Sequence, residues 1–459
     1  MTHPTRPFSP CRRRVLQWLG ASALTAGHRG VAAQGAPDYK ALVCIFLDGG
    51  NDGENTLVRY DAPGYQTYAA IRTPASGLNI AQGQLLPVQP ARGGPPYGFH
   101  PACAPLKALF DQKQLAVVAN MGQLVRPSTK PGLESQGAPR PANLFSHNDQ
   151  QLAQQSADAS GFTRVGWGGR IADRLDAPNA GALFPPLIST NSARVFCNGA
   201  TSIPLLVGSG TFYGLSGSGA SFQAGQFDAL RAAALQEIAA LPRENLYEMV
   251  GQLYAQQGLA SISVVAPIVR NPASIVPQHF AGVSNDVANQ LQSVAKLIEG
   301  RAAIGLKRQV FFVHQGGYDT HGSQLGLQST LLGNLAQGLQ AFQSALAALG
   351  MTQNVTTFTL SDFGRTLKPA SDNGTDHGWG NYAFVVGGAV RGGDFYGTVP
   401  TMALNGPDDF GKEGRWIPTT SLEQYGATLA RWFGIAEGDL PYVFPNIGAF
   451  ANTNVGFMS

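Results

Sequence analysis

Two hydrophobic rhythms alternate along the chain. Short continuous apolar runs, "ALVCIFL", "LAVVANMG", "RQVFFV", "NVTTFTL" and "YAFVVGGAV", have the length and β-branched content of buried strands. Between them lie stretches whose apolar residues recur every three or four positions. "PACAPLKALFDQ", "FDALRAAALQEIAAL", "ENLYEMVGQLYAQQ", "NDVANQLQSVAKLIEG", residues 328–349 and "LEQYGATLARWFGI" therefore read as helices. "FSHNDQQLAQQSADAS" adds a helix that opens on a serine suited to its N-cap. Uninterrupted apolar strands alternating with helices predict an α/β/α sandwich, with a mostly parallel sheet covered on both faces. The helices of residues 220–258 predict a helical insertion near 200–285. The glycine-rich run "VGSGTFYGLSGSGASF" reads as a surface loop at its edge.

In open α/β sheets ligands bind beyond the carboxyl ends of the strands, and the polar motifs fall there. "DGGND" follows the first strand, "GGYDTHG" follows "RQVFFV", and "SDFGRT" follows "NVTTFTL". "GTDHGWG" stands just before "YAFVVGGAV". Asp48, Asp52, Asp319, His321, Asp362, Asp376 and His377 are the candidate metal ligands. Mixed carboxylate and imidazole donors suit zinc first and manganese next, while an oxygen-only subset would suit calcium or magnesium. Asp319 and His321 are two residues apart, so in an extended segment both face one side. They are expected to meet His377 and at least one of Asp52 and Asp362. The competing reading is that the acids cap helices or hold turns. His100, His279 and His314 read as structural. Ser146 and His147 at a helix start, with Arg170 and Arg365, are candidates for handling an anionic group; capping and surface roles compete for all four. GxGxxG, GxSxG and P-loop patterns do not occur.

The +3 formal charge misleads. Arg6, Arg12, Arg13, Arg14 and Arg29 precede a small-residue cleavage point after Ala33 with no acid among them, and removing those five leaves −2. A basic segment, a short apolar run and that cleavage point predict an export signal over residues 1–33, with Arg12-Arg13 in the twin-arginine style. The apolar run is too short to span a membrane. The expected location is the periplasm or cell exterior, reached through the twin-arginine translocon, with no nucleic-acid partner. The mature residues 34–459 are expected to form one domain. Of the cysteines, Cys44 falls in a strand, and Cys103 and Cys197 are free to pair in an oxidising compartment.

In combination, "FLDGGNDGENTLV", "FSHNDQQLAQQS", "GWGGRIAD", "GGYDTHGSQ", "LSDFGRTL" and "GTDHGWGNYAFVVGGAVRGG" resemble a bacterial, twin-arginine-exported domain-of-unknown-function family, number fifteen-oh-one. That family is similar to the alkaline phosphatase and sulfatase superfamily. The resemblance implies an alkaline-phosphatase-like fold with metals at the sheet edge. It places Asp48 or Asp52 at the first-strand ligand, Asp319 with His321 at one metal, Asp362 and His377 at later ligands, and Ser146 at the nucleophile. Phe363 stands where the superfamily has a ligand histidine, which implies a single-metal or altered site. The expected function is exported, metal-dependent hydrolysis of phosphate or sulfate esters, of small molecules, glycans or lipids. The rival is a non-catalytic periplasmic or cell-surface binding or assembly protein on the same fold.

Overall fold

A computed structural model describes residues 38–459, apart from 162, 181, 183, 209–225 and 244. The expected export signal and, from residue 209 on, the expected glycine-rich loop lie outside the described residues. Among the described residues the central sheet has nine strands: β1 (Lys40–Leu47), β2 (Leu115–Gly122), β3 (Leu187–Ser189), β4 (Leu205–Leu206), β5 (Arg308–Gln315), β6 (Val355–Ser361), β7 (Asn381–Val386), β8 (Asp394–Tyr396) and β9 (Thr420–Ser421). Their order is β8-β2-β7-β6-β1-β5-β3-β4, with β9 also on β2. All pairings are parallel except those of β7, which runs antiparallel to both β2 and β6. The sequence signal for β7 was apolarity, which does not specify direction.

Along β1 the side chains alternate between two cores, as strand geometry requires. Ala41, Val43, Ile45 and Leu47 join one core with α1 (Ala104–Asp111), α6 (Asp286–Glu299) and α7 (Gln324–Ala348). Leu42, Cys44 and Phe46 join the other with α3 (Trp167–Ala172) and α8 (Leu422–Phe433). Helices thus cover both faces of a mostly parallel sheet. α2 (His147–Ser156) starts after Ser146, whose side chain makes no capping bond. α4 (Gln226–Ala240) and α5 (Leu246–Val269) form a pair between β4 and β5. The helical pattern breaks there at Pro242, and Asn245 caps the second helix through the Tyr247 amide.

The two cores also decide the cysteines. Cys103 lies in one and Cys197 in the other, on opposite faces of the sheet, so the disulfide allowed by the sequence does not form. Cys44, Cys103 and Cys197 are all unpaired and buried, and burial raises each thiol above its usual value. Among the described residues no helix is long and apolar enough to cross a membrane.

Candidate metal centre

β5, β1 and β6 are adjacent and end in register, with Leu47 opposite both Gln315 and Ser361. Asp48, the Gly316–Asp319 segment and Asp362 therefore leave the sheet at one edge. Gly317 adopts φ +101°, open to glycine at little cost, and swings the chain back across the strand ends. Gly49, at φ +114°, lets that segment press close: a Cβ there would come within 2.3 Å of the Asp319 amide nitrogen. A separate antiparallel pair, Arg365–Pro369 with Thr375–His377, sets His377 opposite Arg365.

His147, Asp319, His321 and His377 each offer one ligand atom, all within 4.8 Å of one another. His377 Nε2 lies 3.0 Å from His147 Nε2 and 2.9 Å from His321 Nε2. Asp319 Oδ1 lies 3.2 Å from His147 Nε2, 2.9 Å from His321 Nε2 and 3.5 Å from His377 Nε2. The outward nitrogens of two of these rings are already engaged. Asp362 Oδ2 is 2.8 Å from His147 Nδ1, and the Phe145 carbonyl is 2.7 Å from His377 Nδ1. Donation from both Nδ1 atoms leaves both Nε2 lone pairs facing one point, where they repel unless positive charge sits between them. Zinc bonds of 2.0–2.1 Å at tetrahedral angles separate ligand atoms by about 3.3 Å, and five of the pair distances here scatter around that value. Three imidazoles and a carboxylate, with a carboxylate behind one imidazole and a carbonyl behind another, suit a divalent metal of the zinc type.

The supporting residues explain the electrostatics. Burial pushes Asp319 up, but the Arg365 hydrogen bond and the His147 and Arg365 charges prevail and hold it below the usual carboxylate range. Arg365 donates to Asp319 at 2.9 Å and to Thr375 Oγ1 at 3.2 Å. It steadies Asp319 from behind rather than reaching for an external anion. His147 is raised, chiefly by its Asp362 bond, while burial lowers His377. Phe363 packs its ring 4.8 Å from His147 and 4.9 Å from His377, an apolar wall beside the two imidazoles.

The remaining sequence candidates divide. Asp362 accepts from the Gly49 amide, from His147 and from Gln151, so it supports the His147 imidazole and is not itself in the convergent set. Asp48 is bridged to Asp362 by the Gln151 amide and lies 2.8 Å from His314 Nε2, which holds it below the usual range. His314, read from sequence as structural, thus borders the site. Asp52 is taken up elsewhere: buried, it caps the Gly53–Thr56 turn of helix and pairs with Arg72 at 2.6 Å. Asp376 binds the His377 amide and Arg415. Arg170 is buried with its nitrogens on the carbonyls of Val443, Val165 and Ser156, far from an anion-handling role. Ser146 stands directly before His147 at the N-cap of α2. Sequence reasoning gave His147 an anion-handling role, where the geometry makes it one of the four converging donors, and it missed Gln151. Their i, i+4 spacing on one helix face was the available signal.

An α/β sandwich carrying a histidine-rich, carboxylate-supported cluster at its strand ends is the class of protein these observations define. Residues 39–436 match the family described as "Protein of unknown function (DUF1501)", and the chain belongs to that family. No curated protein matches it. Among solved structures it is similar to the lipoteichoic acid synthase LtaP from Listeria monocytogenes, at 9% identity and TM-score 0.35, covering 87% of this chain and 73% of that one. It is also similar to the C-terminal periplasmic domain of EcEptC from Escherichia coli in complex with Zn, at 8% identity and TM-score 0.32, covering 77% and 73%. The alkaline phosphatase from the Antarctic bacterium TAB5 matches at 9% identity and TM-score 0.29, covering 89% and 98%.

Proposed function

We propose that the protein is an exported, metal-dependent hydrolase of phosphate or sulfate esters. The observation that carries this reading is the convergence of His147, His321 and His377 Nε2 with Asp319 Oδ1 at one sheet edge. These four residues would hold the cation, with zinc favoured by the donor set. Held there, a divalent cation would supply positive charge to stabilise the anionic oxygens of an ester under attack and to acidify a nearby nucleophile. The chain's own groups do the rest. Asp362 and the Phe145 carbonyl fix the tautomers of His147 and His377. Arg365 keeps Asp319 ionised and oriented, and Phe363 excludes water from the inner side of the two rings. Asp319 and His321 are about half exposed, which leaves the outer side open to substrate. Ser146, directly before His147, would be the attacking hydroxyl, its attack on the phosphorus or sulfur breaking the ester bond and releasing the alcohol.

The second reading is a non-catalytic binding or assembly protein whose metal is structural. It is favoured by the donor count, because four protein ligands are the number of a closed structural zinc site. One experiment separates them: metal analysis of the purified protein beside a screen of nitrophenyl phosphate, phosphodiester and sulfate substrates. One ion per chain with turnover lost in Ser146→Ala supports the hydrolase. One ion per chain without turnover on any ester supports the structural reading. Folded protein that binds no divalent ion overturns the hydrolase and favours a non-catalytic protein without a metal.

A further inference from the structure

We propose that a second site, at the opposite end of α7 from the metal centre, binds a neutral saccharide. Gln324 at the start of α7 bonds to Thr375 beside the cluster. Gln343 lies nineteen residues further on, about 28 Å away at the rise of an α-helix. A cavity of about 450 Å3 opens there, within the size range of small-ligand sites. Gln343 lines it and is only 3% exposed; its Nε2 and Oε1 are closed off from the cavity and have no hydrogen-bond partner, so a ligand would meet them through a turn of the side chain. Buried amides rarely go unpaired at both ends, because desolvation of each atom is then uncompensated.

The rest of the lining indicates what would pair with it. Gln337, Gln340 and Ser344 reach the cavity from α7, at the three- and four-residue spacing that shares a helix face. Gln112 and Gln114 come from the end of α1 and the approach to β2, and His279 comes from the segment before α6, with its Nδ1 2.8 Å from Ser344 Oγ. Every one of these polar side chains can donate and accept, and none among the described lining residues is an acid, a lysine or an arginine. Leu109, Val283 and Ala341 supply an apolar floor. A sugar ring carries donor–acceptor hydroxyls around its whole rim and C–H groups on its faces, so it can meet amides from three directions at once. An extended peptide offers its amides along two edges and is matched by a strand edge, whereas this cavity lies between helices.

The test is calorimetric titration of the full mature chain with maltotriose, mannotriose and triacetylchitotriose, and with the tripeptide Gly-Gln-Gly. Saturable one-to-one binding of at least one trisaccharide is expected, weakened by about tenfold or more in Gln343→Leu. The double variant Gln337→Ala with Gln340→Ala changes only exposed side chains; it should weaken binding too, and decides the matter if Gln343→Leu does not fold. His321→Ala should bind the sugar as before. The proposal is overturned if no trisaccharide saturates, if the glutamine variants bind undiminished, or if only the tripeptide binds.

Discussion

His147 illustrates how a single side chain gains its role from both of its nitrogens. Nδ1 faces Asp362 while Nε2 faces His377 and Asp319. His147→Ala and His321→Ala are each expected to lower metal affinity by more than about 100-fold, the upper end of what supporting-residue changes cost; stoichiometry after dialysis checks this. Glu54 gives a pH-dependent expectation away from the centre. It is buried, with Trp416 Nε1 on Oε1 at 2.8 Å, and burial pushes its carboxyl up to about 7 from the ordinary 4.5. Between those values the unfolded chain has released the proton while the folded protein still holds it. Stability contributed by neutral Glu54 is thus complete below pH 4.5 and lost as pH rises through 7. Glu54→Gln, which keeps an acceptor for Trp416, should stabilise the fold by about 1–3 kcal/mol at pH 8 and by little at pH 4.5. Urea denaturation at the two pH values measures it, and an equal effect at both would refute the assignment.

At the scale of elements, α2 acts as one rigid bracket. It delivers His147 to the cluster and, one turn later, Gln151 to both Asp48 and Asp362. Gln151→Ala removes the donor that keeps these two carboxylates together and frees Asp362 to shift away from His147. Metal affinity should fall by about 10–100-fold while the fold persists; unchanged affinity in a competition titration would show that the bracket is dispensable. The β1 turn is the complementary device. Gly49→Ala would put a side chain against the Asp319 backbone at a positive φ. A loss of about 1–3 kcal/mol in thermal or urea unfolding is expected, together with weaker metal binding, because the clash displaces a ligand segment.

For the whole molecule, the centre ties together parts of the chain that are far apart in sequence: α2, the segment after β5, and the Thr375–His377 strand. An ion held there would therefore act as a cross-link specific to the folded state. Removing it with a chelator should lower the melting temperature, by an amount equivalent to about 4 kcal/mol where free metal had stood a thousandfold above Kd. Scanning calorimetry with and without metal reads this directly, and identical traces would argue against a metal centre. The proposed export is tested on the whole chain. Replacing Arg12 and Arg13 by Lys should leave unprocessed protein in the cytoplasm, and cell fractionation that finds normal export would remove the twin-arginine reading.

The sequence by itself determined the layers and the edge. Apolar runs such as Ala41–Leu47 had to be buried on both faces, and acid-rich turns such as Asp319–His321 and Asp376–His377 had to follow or flank them, because both patterns are local. The same locality explains what it left undecided. Asp52 and Asp319 carry the same side chain in similar glycine-rich turns, yet one is neutralised by Arg72, twenty positions along, and the other faces three imidazoles. The reversed direction of β7, the separation of Cys103 from Cys197 and the turn of His147 toward His377, 230 residues away, were decided only in three dimensions. Each depends on which strands become neighbours, and that choice is set by the packing of two cores rather than by any stretch of sequence.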